Sequence, residues 1–261
     1  MQNYRSRIGF FAVLAGLLSL VILAMIHTGA DPLAIVRGFP NMVKYLGRMF
    51  PPAFSKIPGL INPLIETLEI ALIATFLAFF SSLALGLLAA KNIHNNELIY
   101  RAAHITLNAL RSVPSLLYAL MFVSMVGLGP LPGIMGLACH VTGALGRYFA
   151  EAFELAKKET IEAAKIDGAT RLQIIRYIVI PDARPLLIGY TLYYFEHCVR
   201  QATILGLVGA GGIGVPLILA IRLFKTQEVA ACMIVILTTV FALDAISSVI
   251  RRRYIYEEGK L

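Results

Sequence analysis

Four ionisable side chains stand inside stretches otherwise free of charge: Glu196, His197, Arg200 and Asp244. Moving a charge out of water is costly, so such residues face one another, a cavity or a polar path. Glu196 and Arg200 are four apart, which places them on one helix face with the acid N-terminal to the base. His197 lies beside that face. An arginine fork matches the geometry of a phosphate-like oxyanion. Two readings fit: an anion-sensing or gating cluster on a path through the membrane, or an internal ion pair that holds two helices together. The residues alone leave both open. Asp244, toward the far end of the last apolar run, reads as a packing residue that meets another helix.

Other candidate chemistry is thinner. Gly209, Gly211, Gly212 and Gly214 sit in a run that formally fits G-x-G-x-x-G. A dinucleotide site needs a strand before it, a helix after it and an acid about 20 residues on. Here an apolar span precedes and Pro216 follows, so the glycines read as a close-approach or gate loop. His94, His104 and His140 have no acid or cysteine at metal-ligand spacing. Cys139, Cys198 and Cys232 form no metal motif or disulfide framework and read as small apolar packing residues. Glu66 and Glu69 read as acids near a helix start, where the dipole favours them. No Ser-His-Asp arrangement and no P-loop occurs, so the chain is not expected to bind a cofactor, hold a metal or hydrolyse ATP itself.

The elements that must position these residues are membrane helices. The chain is 58% hydrophobic and 15% charged, with a mean hydropathy of +0.77. Several apolar runs approach the roughly 20 residues that cross a bilayer. Ile8–Ile26 reads as a first span, longer than the roughly 7–15 residues of a signal-peptide core. Residues 27–62 mix prolines and glycines, with one or two amphipathic helices within Pro32–Phe50. Ile70–Ala90 carries no charge and is followed by a polar loop, Asn92–Arg101. A third span is expected from Val113-Pro114 to about Gly129, with a turn at 127–133. Leu131–Leu145 is short for a span and must be little tilted, extended by its flanks or re-entrant. Pro185–Val208 and Val229–Ile250 complete about six, the last closed by Arg251-Arg252-Arg253. The whole is expected to be an all-α polytopic bundle embedded in the lipid bilayer.

The formal charge is +8. The cations cluster at the ends of apolar runs rather than in an aromatic-interleaved stretch, so no nucleic acid is implied. With six spans, sixteen of the 23 Lys and Arg residues fall on the side of the two termini and of the polar insert, and six on the other. The side of the termini is therefore expected to be cytoplasmic.

The polar insert runs from Gly146 to Arg184. Tyr148–Ile166 has helix-forming composition, and Gly168 suits the left-handed residue past a helix end. Thr170-x-x-Gln173 has a capping-box pattern, so a second short helix starts there. Pro181 and Pro185 are expected to end it. On geometry alone this is a capped loop in water.

The spacing Glu162-Ala163-Ala164, then Gly168, then Ile178-x-x-Pro181 resembles the coupling loop of ABC-importer permeases, with Ile180 where leucine is more usual. Phe195–Gly214, Glu66-Thr67-Leu68-Glu69 and Leu110–Ser115 are similar to the phosphonate-type permeases, and the resemblance covers roughly Pro63–Arg252. It implies the type I importer (MetI-like) fold and a segment 148–184 that docks on a separate ABC ATPase subunit, which would bind the ATP. It implies an extracytoplasmic phosphonate-binding protein as a further partner, and a second permease chain in a homodimer. Phosphonate, phosphite or a phosphate ester would be the cargo, crossing a bacterial inner membrane. Residues 1–62 would be an N-terminal addition, 63–252 the permease domain and 253–261 a cytoplasmic tail. The rival is an ion-gradient-driven transporter with Glu196, Arg200 and Asp244 as its relay. A membrane-embedded enzyme would need a nucleophile or metal cluster that the sequence lacks.

Overall fold

The computed structural model describes residues 2–93 and 96–256, and no strand occurs among them. His94 lies outside the described residues. The chain divides into two units, 1–50 and 51–261.

The first unit holds α1 (Gln2–Thr28) and α2 (Pro32–Arg48). Asp31 caps α2, its carboxylate accepting from the N–H of Leu33 at 2.9 Å, and Pro32 occupies the first turn, where no N–H is needed. The amphipathic stretch is thus one helix, carried through Pro40.

The second unit comprises α3 (Ile57–Ala89), α4 (Glu97–Ser112), α5 (Ser115–Val126), α6 (Pro130–Glu154), α7 (Lys158–Ile166), α8 (Arg171–Ile174), α9 (Ile180–Leu205), α10 (Gly214–Arg222) and α11 (Thr226–Tyr256). α3 and α6 run side by side in the same direction. Gly133 faces Ile70, Ser82 Oγ donates to the Thr142 carbonyl at 3.2 Å, and Gly86 faces Phe149. Lipid is as apolar as leucine, so helix association here depends on close packing rather than on the hydrophobic effect. The contact face of α3 is accordingly small: Ala71, Ala74, Ala78, Ser82 and Gly86, all buried. On its other side α6 meets α4 and α5 through Gly143 and Gly136. A Cβ on Gly143 would stand 2.5 Å from the Arg111 nitrogen, and one on Gly136 would stand 2.8 Å from that of Ala119. α9 packs against α3 and α6, and α11 packs against α9.

Among the described residues, Phe54–Ala89 and Thr226–Arg252 are each long and apolar enough to cross a bilayer alone. α6 and α9, of 25 and 26 residues, are long enough but more polar.

Several expected boundaries move. The span expected from Val113 to Gly129 is a 12-residue helix. At about 1.5 Å per residue it reaches about 18 Å, short of a core of roughly 30 Å. It follows α4 through an 83° bend. Val113 precedes a proline and is held extended there, which stops α4. The loop after α3 ends earlier than expected, because Asn96 caps α4 through the N–H of Leu98. Leu131–Leu145 is extended by its flanks into all of α6.

Tyr148–Ile166 is not one helix. Its first turns belong to α6, which closes in a tight turn: the Ala156 N–H donates to the Phe153 carbonyl at 3.4 Å, and Asn92 Nδ2 donates to the same carbonyl at 2.7 Å. Nor do Pro181 and Pro185 end the segment after α8. Residues 175–179 widen into a π-turn, and the chain stays helical from Arg171 to Leu205. A proline ring clashes with the carbonyl four residues back, and the wider turn relieves the clash at Pro181. Because α3 begins at Ile57, Glu66 and Glu69 lie in mid-helix, and the dipole does not explain them. Arg251–Arg253 continue α11 rather than end it, and the expected tail is helical to Tyr256.

Gly143→Val tests the packing of α6. The added side chain meets backbone on α4, so a loss of about 1–3 kcal/mol is expected. Gly59→Ala, at a helical glycine with nothing within 4 Å of an added Cβ, should stay within about 0.5 kcal/mol. Thermal unfolding in detergent reads both, and equal stability of the two variants would contradict the packing described.

Candidate functional site

The polar insert is anchored by one side and bare on the other. Ile161 of α7, Ile174 of α8 and Val179 of the π-turn are buried in the main core, with Ala164, Ala169, Ile175, Ile178 and Ile180 packed against it. The turn after α7 is a full Schellman motif. The Ala169 N–H donates to the Ala164 carbonyl at 2.9 Å and the Gly168 N–H to that of Lys165 at 3.1 Å, with Gly168 at φ +81°. Gln173 Oε1 accepts from the Thr170 N–H at 2.7 Å and fixes the start of α8.

The outward face carries Glu162, Ala163, Gly168 and Pro181, all exposed. Ile166 is 86% exposed and Leu172 is 75% exposed, with Tyr177 exposed nearby. Apolar side chains this bare, on a turn rimmed by Glu162, Lys165, Arg171 and Arg176, form a surface suited to a protein partner. The structure thus brings Glu162, Ala163 and Gly168 to one exposed turn, while Ala164 and Ile178 belong to its inner side. Ile166 and Leu172 were not singled out from the sequence. Apolar residues beside the turn glycine of a polar insert were the available signal.

Within the bundle, Glu196 is 5% exposed and its ion partner is Arg251 of α11, at 4.0 Å. The pairing with Arg200 that their spacing permits is not made; among the described residues Arg200 has no ion pair. Glu196 therefore fits the reading of an ion pair between two helices. Arg251 was read only as a charge closing the last span, because its position opposite Glu196 depends on how α11 packs on α9. His197 and Arg200 are half-buried and lie on the side where His140 approaches from α6. Asp244 is exposed on α11 rather than packed inside the chain, and among the described residues it has no ion pair. Glu196, Arg200 and Asp244 thus form no connected relay.

The glycine loop is tightly built. Gly209, Gly211 and Gly212 all have φ between +74° and +84°. The Ile213 N–H donates to buried Thr67 Oγ1 at 2.8 Å, and the Gly129 N–H donates to the Gly209 carbonyl at 3.0 Å. A Cβ on Gly211 would stand 2.6 Å from Glu66 Oε1, and one on Gly214 would collide with the Thr203 carbonyl. Close approach, not looseness, is what these glycines provide. Glu66 belongs to this contact. Among the described residues no group of three or more His, Cys, Asp and Glu side chains could hold a metal.

The fold is shared with solved transporters. A chain of the MetNI methionine ABC transporter, in inward-facing conformations, superposes with a TM-score of 0.70, covering 77% of this chain and 99% of that one at 22% identity. A chain of the bacterial alginate ABC transporter, in complex with alginate pentasaccharide-bound periplasmic protein, gives 0.63 over 92% and 94% at 16% identity. The chain therefore shares its fold with chains of solved ABC transporters.

Residues 82–256 match the family described as "Binding-protein-dependent transport system inner membrane component", and the chain belongs to that family. The phosphite transport system permease protein PtxC of Stutzerimonas stutzeri is 38% identical over 249 residues, 95% of this chain and 90% of that protein. The phosphate-import permease protein PhnE of Mycolicibacterium smegmatis is 33% identical over 96% of this chain and 47% of its own length.

Removing Arg251 strands the buried carboxylate. Arg251→Met is expected to cost about 3 kcal/mol, and adding Glu196→Gln should recover most of it. A double-mutant cycle on thermal unfolding measures the coupling, and strict additivity would contradict the pair.

Proposed function

We propose that the chain is the membrane-spanning subunit of an ATP-driven importer for phosphite, a phosphonate or a related phosphorus oxyanion. The observation that carries the reading is the bare apolar turn around Gly168, on a chain aligned over 95% of its length with a phosphite permease protein. Glu162, Ala163, Ile166 and Leu172 form the docking surface for a separate ATPase subunit, which holds and hydrolyses the ATP. The insert is cytoplasmic, as the cation distribution favours, and both termini lie on that side of a bacterial inner membrane.

Movement reaches the membrane interior through one element. The helical run from Arg171 to Leu205 is about 50 Å long. It begins beside the docking turn and carries Arg200. A push on the turn therefore displaces the interior residues as part of one body.

One bundle supplies half of a path. Asp244 and Phe241 are both exposed on α11, and a bare carboxylate is not left against lipid. A second copy of the chain covers it in the assembled importer. An extracytoplasmic binding protein delivers the cargo, with the glycine loop as the gate on that side. Among the described residues no contact joins Glu196, Arg200 and Asp244 as the ion-gradient reading requires.

Gly168→Val tests the docking turn. A β-branched residue in the left-handed region costs about 1–2 kcal/mol, which lowers the docked geometry by about 5- to 30-fold. ATP hydrolysis and phosphite uptake should separate in proteoliposomes, while membrane insertion and amount stay at wild-type levels. Unchanged uptake would exclude the turn as the coupling element. The reading also requires that an ABC ATPase subunit co-purify with the chain in mild detergent.

A further inference from the structure

Donors and cations from three helices converge at the bend between α4 and α5. Pro114 has no N–H, and the bend turns the Val113 carbonyl toward α6, where His140 Nδ1 lies 2.9 Å away. A carbonyl only accepts, so Nδ1 carries the proton and Nε2 is left for another partner. One step on, Ser115 Oγ donates to Gln201 Oε1 at 3.2 Å, which leaves the Gln201 amide N–H groups to donate elsewhere. Arg200 precedes Gln201 on α9. His197 lies within electrostatic reach of both His140 and Arg200.

Among the described residues, neither Arg200, His197 nor His140 pairs with a carboxylate. Glu196 faces α11 and Arg251 instead. His140, His197, Arg200 and Gln201 are all half-buried, so each keeps part of its surface open on the single chain. An unpaired guanidinium at membrane depth is not left facing lipid; it faces a partner helix or a water-filled path. A lining with a fork of donors, further N–H groups and no carboxylate selects an anion. Ser115 is buried and orients Gln201 without reaching the opening.

We propose that Arg200, His197, His140 and Gln201 form an oxyanion site within the permease, at which the phosphorus oxyanion is held in transit between the binding protein and the cytosol. This rests on the substrate class assigned in the preceding subsection. The fork of Arg200 grips two oxygens of a tetrahedral anion, Gln201 and the His197 imidazole donate to the others, and His140 Nε2, whose ring proton is on Nδ1, accepts from a protonated oxygen of the anion. A site on a path must bind well enough to admit and weakly enough to release. The bend at Val113-Pro114 fixes His140, and the helix that begins at the docking turn carries the other three residues. A shift of that helix would part the two halves of the site and free the anion.

The test uses the permease with its ATPase in lipid nanodiscs, without the binding protein, and phosphite as the probe. Line broadening of the phosphite 31P signal reports binding, and the full importer in proteoliposomes reports uptake. Arg200→Gln should abolish the broadening and cut uptake by about tenfold, the loss of about 1.4 kcal/mol. Arg200→Lys, which keeps the charge and loses the fork, should fall between Arg200→Gln and wild type. Arg101→Gln removes an exposed cation of α4 already paired with Glu97, and should leave the broadening unchanged. A purely structural Arg200 would not make anion binding track charge and fork in this order. Should Arg200→Gln fail to assemble with the ATPase, His140→Gln takes its place, with the same loss expected. If wild type imports phosphite and the assembled variants bind and import it equally well, this proposal falls and the substrate reading stands. If the wild-type importer takes up no phosphorus oxyanion, both fall.

Discussion

α6 approaches α3, α4 and α5 so closely that a methyl group does not fit at Gly136 or Gly143 without moving backbone. In lipid this closeness is the main source of attraction between helices, since apolar side chains gain little by leaving one apolar surround for another. The small residues of α3 from Ala71 to Gly86 and the glycines of α6 therefore set the positions of the other helices. α9 lies against this pair, and α11 packs on α9, on α10 and on the start of α3 at Leu60. The exposed turn, the Glu196–Arg251 pair and the cation cluster all take their places from that arrangement.

Lipid also requires that every backbone polar group be satisfied within the protein. Two departures from regular helix show how this is met. The bend at Val113-Pro114 leaves a carbonyl free, and His140 takes it. The break after α6 is held by Asn92, whose side chain donates to the Phe153 carbonyl beside the Ala156 N–H, and by Glu154, whose carboxylate accepts from the Lys91 N–H at 2.8 Å. The first brings polar groups into the interior of the bundle. The second separates α7 from α6, so that the short helix and its turn stand clear as a surface.

The ionisable residues in the apolar runs divide by neighbour rather than by spacing. Glu196 and Arg200 share a helix face, yet the first turns to α11 and the second has no acidic partner among the described residues. An i, i+4 relation permits a pair only where both side chains are free to turn to each other. Here tertiary contacts engage one of them first. In the proposed importer this division leaves one cation of the path uncompensated, the state an anion requires.

Sequence alone determined the class of fold, the approximate spans, the capped turn at Gly168 and the family resemblance. These follow from local causes: hydropathy runs, the left-handed preference of glycine, and a capping pattern four residues long. What only the tertiary structure decided was where helices stop or continue and which charges meet. The Phe153 carbonyl accepts from the side chain of a residue 61 positions away, and Glu196 finds Arg251 on another element. Each outcome depends on a partner brought near by packing, and no window along the chain contains that partner.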